Sequence, residues 1–413
     1  ITGSSTIVGS TINGVGISTF GTGSFLLSND GGTGTIDAAN YNVGFGFEVF
    51  DDLTSGDENT AMGRVALTKL TTGSFNNAIG SQSLDANTTG SNNIGIGYQA
   101  LSANTTADNN TGIGHQALKV NTTGTASVAV GANALEAQTT GGFNVAVGYL
   151  AGDAITIGNS NVAVGYQSLS SDTAGDRNVA VGNQALQSQN FTSTTDSYNT
   201  AVGFYAGLNV TTGTHNTFIG GLAGDATTTG IANVAVGAEA LTANTTANSN
   251  TAIGYGSMAA NTTGTSNTSI GRSALAANTT ADNNTAVGMF ALNVNTTGAT
   301  NVAVGSSALQ ANTTAADNVA VGYQALLTNT TGAENTSLGS FSMNLNTTGS
   351  YNSAVGRLAL RVNTTGIQNT ALGYQTMAAN TTANNNTAVG YNAMVANTTG
   401  TVNVAVGAQA LDA

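Results

Sequence analysis

The sequence predicts an all-β fold, a β-solenoid or β-roll of about 22 coils, each coil one 17-residue repeat. Three observations predict it. First, 22 glycines recur at a fixed interval: Gly46, Gly63, Gly80, Gly97, Gly114, Gly131, Gly148, Gly165 and Gly182, then Gly203, Gly220, Gly237, Gly254, Gly271, Gly288, Gly305, Gly322, Gly339, Gly356, Gly373, Gly390 and Gly407. Every step is 17 residues except Gly182 to Gly203, which is 21. Second, the residues before each glycine alternate β-branched, small, β-branched, the period of a short strand. Third, 413 residues include 55 glycines and no proline, where average usage near 5% would give roughly 20. A chain whose backbone donates hydrogen bonds from coil to coil has no place for a residue without an N–H.

The repeat unit, clearest at residues 301–317, reads N-[TV]-A-[VI]-G-x-x-A-L-x-x-N-T-T-G-x-x. It opens with Asn in 21 of 22 copies, Ser127 being the exception. Stacked from Asn59 to Asn403, these amides would form a ladder along one corner, or simply favour the turn. Val302-Ala303-Val304 typifies the strand, with one crowded face and one tight face. The strictly spaced glycine follows as a structural corner, where the backbone takes φ > 0 or leaves no room for a Cβ.

After the corner a small residue precedes a large one, which is Leu, Met or Phe in 19 copies and points into a packed core. Gly152, Gly207 and Gly224 depart from this, and Leu150, Tyr205 and Leu222, two residues earlier, are expected to refill the space from the same face of an extended segment. A second corner closes the coil, with Gly in 15 of 20 uninterrupted copies and Ala107, Ala247, Ala281, Ala315 or Ala383 in five. Asx residues behind those alanines are expected to let the turn slide slightly. Each coil thus has two short strands and two corners.

Single coils bury too little to fold alone, so stacking must stabilise them. At ~4.8 Å per coil, 22 coils make a rod of roughly 100 Å. The small alanine face suits close approach of another chain, and a homotrimer is expected, with a lone solenoid or another assembly as alternatives. Residues 42–413 carry the repeat, interrupted by an insertion near 189–197 that is expected to bulge as a loop, and the repeat is expected to continue beyond 413. Residues 1–41 lie outside the period and are Gly/Ser/Thr-rich (residues 2–10, 21–24 and 31–34); they read as a cap, a linker or a different shaft module.

Composition narrows the function classes. Only 7% of residues are charged and the net charge is −13 with seven Lys and Arg, which argues against nucleic-acid or anionic-membrane binding. No apolar run is long enough to span a bilayer, so no membrane insertion is expected in this segment. Without cysteine there is no disulfide and no thiol chemistry.

The strings N-T-A-V-G-Y at 386–391 and N-T-A-I-G-Y at 250–255 resemble repeats of phage tail-fibre and tail-spike shafts, where units N-T-A-[IV]-G-Y-Q-A-L-x-x-N-T-T-G are common, often upstream of a self-cleaving chaperone domain. The core N-V-A-V-G at 161–165 and 318–322 is similar to head repeats of trimeric autotransporter adhesins, whose shorter repeat forms a left-handed parallel β-roll in a trimer. The resemblance covers about residues 42–413. It implies an extracellular setting, on a virion fibre or a cell surface, and a structural role.

Several features invite a site. N-T-T occurs 13 times, making Asn87, Asn104, Asn121, Asn244, Asn261, Asn278, Asn295, Asn312, Asn329, Asn346, Asn363, Asn380 and Asn397 formal glycan acceptors exposed on a turn; turn chemistry with a threonine ladder is the alternative. The threonine pairs also bear on ice binding, though each pair offers one outward row at most. Glu48, Asp51, Asp52, Asp57 and Glu58 cluster in the first coil and could attract a hard cation, or simply solvate one end. Tyrosine follows the corner glycine at Tyr98, Tyr149, Tyr166, Tyr255, Tyr323, Tyr374 and Tyr391, a row that could stack on sugars or cover a seam. His115 and His215 are isolated. No cofactor or metal is expected, and the scattered carboxylates argue against an enzyme. The sequence therefore reads as the structural shaft of an extracellular fibre, of phage tail-fibre type, positioning a receptor-binding tip. The alternative is a bacterial surface adhesin or glycosylated filament binding host, matrix or glycans along its side.

Overall fold

A computed structural model describes residues 10–12, 15–18, 23–28 and 39–412. The chain divides into two units, Ile1–Tyr205 and Ala206–Ala413. Both are built the same way, as a parallel β-solenoid with no helix among the described residues; unit one holds ten corner glycines, Gly46 to Gly203, and unit two holds twelve, Gly220 to Gly407, making about 22 turns.

Each coil contributes one three-residue strand, paired in parallel with the same residues one repeat away. Val145, Ala146 and Val147 face Val162, Ala163 and Val164 in unit one; Val302, Ala303 and Val304 face Val319, Ala320 and Val321 in unit two. Where the repeat is lengthened the register adjusts, so that Val179, Ala180 and Val181 meet Thr200, Ala201 and Val202. Period two puts the central residue on one face and its neighbours on the other. The central alanine is the one inside: Ala146, Ala163, Ala303 and Ala320 are buried, and the valines around them point outward. This corrects the expectation that the alanine face is the one another chain approaches. The core is so thin that a methyl group fills its share, and the larger part comes from the turn: Leu84, Leu101, Leu309 and Leu326 have no exposed surface.

Among the described residues, the expected second strand is absent from the segment between the two corners. Between the corner glycine and the next corner the backbone forms a six-residue turn in which alternate residues are left-handed, such as Gln99 (φ 55°) and Leu101 (φ 54°). Its amides still bond between coils: Gln99 N–H donates to Ser81 O at 3.0 Å and Leu101 N–H to Ala117 O at 2.9 Å. Left-handed non-glycine residues cost roughly 1–2 kcal/mol each, so stacking holds this segment in a shape it would not take alone.

Because the segment is a turn, residues two apart do not share a face, and the refilling of missing core volume follows another route. Leu150, Tyr205 and Leu222 remain half-exposed. A Cβ on Gly152 would meet Ile155 Cδ1 at 3.0 Å and Leu135 Cδ2 at 3.1 Å, so Ile155 takes the space. Val210 is buried three residues after Gly207. In the coil of Gly224 the bulk moves to the strand centre, where the Phe218 ring would lie 2.5 Å from such a Cβ. The first coil does the reverse, with Gly44 in the strand beneath Phe50.

The corner glycines have φ between 125° at Gly254 and 148° at Gly46, a region effectively closed to other residues. A Cβ would also strike the next coil's backbone, 2.2 Å from Gly63 O at Gly46 and 2.8 Å from Gly339 O at Gly322. The second corner keeps one conformation in glycine and alanine copies alike, so the turn does not slide. The Asx side chain behind it reaches across instead: Asp108 Oδ1 accepts from Ser91 N at 2.6 Å, and Asn384 Oδ1 from Ile367 N at 2.7 Å.

At the start of the chain β1 (Ser10–Ile12) and β2 (Val15–Ser18) run antiparallel, as do β2 and β3 (Phe25–Ser28). β3 then pairs in parallel with β4 (Val43–Phe45), the first repeat strand, and the Phe25 and Phe45 rings lie 5.6 Å apart. Within residues 1–41, the Gly/Ser/Thr-rich stretches 2–9, 21–22 and 31–34 lie outside the described residues. The insertion is not a free bulge. Thr195 and Asp196 pair in parallel with Gly175 and Asp176; Gln189, Phe191 and Ser197 are buried, and residues 192–194 form an exposed tip.

Candidate functional site

The chemistry of the molecule lies in columns of identical side chains. From Asn42 to Asn386 the asparagine that opens the strand is buried, and its amide works in both directions. Asn42 Oδ1 accepts the backbone N–H of Asn59 at 2.9 Å and its Nδ2 at 3.0 Å, while Asn59 Nδ2 also donates to Gly73 O at 3.0 Å. Asn301 Oδ1 serves Asn318 in the same way in unit two, at 3.0 and 3.3 Å. Only a side chain with an acceptor and a two-proton donor on one short stem joins the next coil to its own second corner.

The N-T-T asparagines form a second internal ladder. Asn104 Nδ2 donates to Asn87 Oδ1 at 3.0 Å and to Ala107 O at 3.0 Å; Asn312 Nδ2 donates to Asn295 Oδ1 at 2.8 Å and to Ala315 O at 2.9 Å. Twelve of the thirteen, all but the half-exposed Asn397, are buried without residual surface. For these twelve the expectation of exposed acceptors is therefore corrected: the motif is a turn whose asparagine amide points inward and bonds to neighbouring coils. Of the paired threonines the first donates its hydroxyl to the next coil, Thr88 Oγ1 to Thr105 O at 3.0 Å, and the second, such as Thr89, faces solvent.

Departures from the pattern occur as compensating pairs. Ser127 interrupts the first ladder, and the adjacent column carries Gln138 in place of asparagine. The longer amide crosses the gap: Gln138 Nε2 donates to Ser127 Oγ at 3.1 Å and Gln138 Oε1 accepts from Asn144 Nδ2 at 3.0 Å. The inserted coil repeats the device around Asp172, a buried carboxylate held by Gln189 Nε2 at 2.7 Å, Phe191 N at 3.0 Å and Gly175 N at 3.1 Å. Burial raises its pKa against the pull of those donors. Sequence reasoning noted Ser127 but missed its partner, although Gln138 is visible as an irregularity in the neighbouring column.

Outside the ladders the described carboxylates form no group larger than a pair. Asp153 is pushed up to about 6, first by burial and then by the nearby charge of Glu136, which itself pairs with Lys119 at 3.6 Å. Asp85 and Asp225, at the equivalent position of other coils, are raised by burial too. The first-coil acids stay on the surface, with Asp57 Oδ1 accepting from Asn40 N at 2.7 Å. Among the described residues no three His, Cys, Asp or Glu side chains are grouped to hold a metal, and His115 stacks on Tyr98 with ring centres 5.5 Å apart.

The tyrosine column is exposed and stacks along itself. Tyr149 and Tyr166 lie 5.9 Å apart, Tyr374 and Tyr391 5.5 Å apart at 9°, and Arg357 sits over Tyr374 at 5.9 Å. Rings spaced this way cover one another's faces and present their edges to solvent. Searches against protein-family models and against curated proteins find no match to this chain.

Proposed function

We propose that the chain is the structural shaft of an extracellular fibre of phage tail-fibre type, which self-associates and holds a recognition tip away from its base. The observation that carries this reading is the direction of the polar chemistry. The amides of Asn59, Asn104, Asn312 and Asn318 are consumed in bonds between coils, so the repeat is invested in stiffness along the stack. A parallel stack with a buried amide ladder resists bending and shear because every deformation breaks bonds in several columns at once. The exposed tyrosines favour a second reading, a bacterial surface adhesin whose flank contacts host, matrix or glycans. Electron microscopy of the purified chain tests the first: thin straight rods of even width support it, and rounded or flexible particles overturn it. Retention of the chain on a glycan array or on host cells, lost when the tyrosines are changed to serine, would select the second.

A further inference from the structure

Among the described residues, nothing packs on the outward face of the strands. In unit two the third strand residue stays open, with Ile253 37%, Ile270 38% and Leu372 46% exposed. One step beyond the corner glycine, Tyr255, Met289, Tyr323, Tyr374 and Tyr391 are exposed as well, so in these five of the unit's twelve coils large side chains flank the glycine on both sides. Unit one carries the same two columns. None of the chain's 20 acidic residues falls in these columns or in that of the first strand residue, and Arg64, Arg272 and Arg357 hold the only permanent charges there. Aromatic residues and arginine with no acidic side chain is the composition of an interface core rather than of solvated surface.

We propose that this face is the seam against which a second copy of the same chain packs, resting on the reading of the molecule as a self-associating fibre. Two arguments choose that occupant. A second copy also carries a net charge of −13, so contact is favourable where negative charge is sparse; these columns hold no acidic residue, and Glu239, which reaches Tyr255 from the neighbouring column, has Arg272 close to the same ring. The rows also recur once per coil, at ~4.8 Å, and a second copy repeats at that same interval, so rows and grooves match along the whole contact. With roughly 200 Å² for a large side chain and the exposures above, the rows of unit two offer on the order of 1,000 Å², beyond the ~800 Å² per partner of a standard stable interface.

The test compares the unaltered chain with two triple variants by sedimentation velocity at micromolar concentration. One variant carries Ile253→Arg, Val304→Arg and Leu372→Arg on the strand face. The other carries Thr246→Arg, Thr297→Arg and Thr365→Arg on the outward threonine column. All six positions are exposed, and circular dichroism of each variant must match that of the unaltered chain. The expected result is an oligomer for the unaltered chain and the threonine variant, and association weakened by about 100-fold or more for the strand-face variant. An oligomer that survives the strand-face changes overturns this seam and leaves the self-associating fibre standing. An unaltered chain that sediments as a monomer overturns self-association itself.

Discussion

The coils from Gly237 to Gly390 and the coils between Gly131 and Gly203 solve one problem in two ways. In the first region the second ladder is Asn244, Asn261, Asn278 and onward, each amide bonded to its copy in the next coil. In the second region the same buried column reads Gln138, Ile155, Asp172 and Gln189, a set of amide, alkyl and carboxylate side chains that differ in shape and hydrogen bonding. Each is accompanied by a change elsewhere: Ser127 with Gln138, Gly152 with Ile155, and a lengthened coil with Asp172 and Gln189. What is kept is therefore not the residue but the filled volume and the satisfied hydrogen bond. Uniform columns obtain both by repetition, and irregular columns by pairwise repair.

The largest expected effect ignores this difference. Gly254→Ala in the uniform region and Gly148→Ala in the irregular one meet the same forbidden φ and the same backbone carbonyl. Each should cost about 5 kcal/mol, strain and overpacking together, read as a comparable fall in denaturation midpoint. A cost confined to one region would show that the corners are not equivalent. Next comes Phe218→Ala, which empties the core beside Gly224 and should cost about 3–5 kcal/mol. Adding Gly224→Leu should return most of it, because the φ of 57° at Gly224 is one that Leu241 already adopts in the following coil. Failure of that rescue would mean that volume is not what the two positions share.

The repair at Ser127 is smaller and sharper. Gln138→Asn takes one of two partners from Ser127 Oγ and from Asn144 Nδ2, which keep Asn144 N and Gly158 O, and Ser127→Asn crowds the long glutamine. Each single change should destabilise by about 1–2 kcal/mol, and the double change, which recreates the uniform pattern, should be nearly neutral. Additive losses in a thermodynamic cycle would remove the pairing from the account.

How much of this was legible beforehand follows from what repetition reports. The interval of the glycines carried the coil length, the parallel stack, the first corner and the ladder beginning at Asn59, because each depends only on every coil being alike. Which face of a strand is buried depends on what lies opposite it. Three residues such as Val302-Ala303-Val304 alternate equally well either way, and the alanine is inside because Leu309, from the turn, supplies the bulk. The turn reads as a strand in the sequence because its left-handed residues are Gln and Leu rather than glycine, held there by bonds to neighbouring coils. N-T-T misleads for a related reason: a motif common in exposed turns here turns its first side chain inward.

The smallest expected effect concerns Asp153, in the irregular region. Burial raises its pKa from 3.8 to about 6, with Glu136 adding to the shift, so the folded chain holds this proton more tightly than the unfolded one. The group's contribution to stability is therefore complete below 3.8 and is lost as pH rises through about 6. Asp153→Asn, a neutral side chain of the same shape, should raise the melting temperature at pH 7.5 by a few degrees at most and leave it unchanged at pH 3.5. In unit two Asn293 already occupies the equivalent place in its coil, and there Nδ2 donates to Ser273 O at 2.8 Å. An amide is thus compatible with this column, and a variant that melted lower at both pH values would show that the carboxylate of Asp153 has a structural partner that charge alone does not explain.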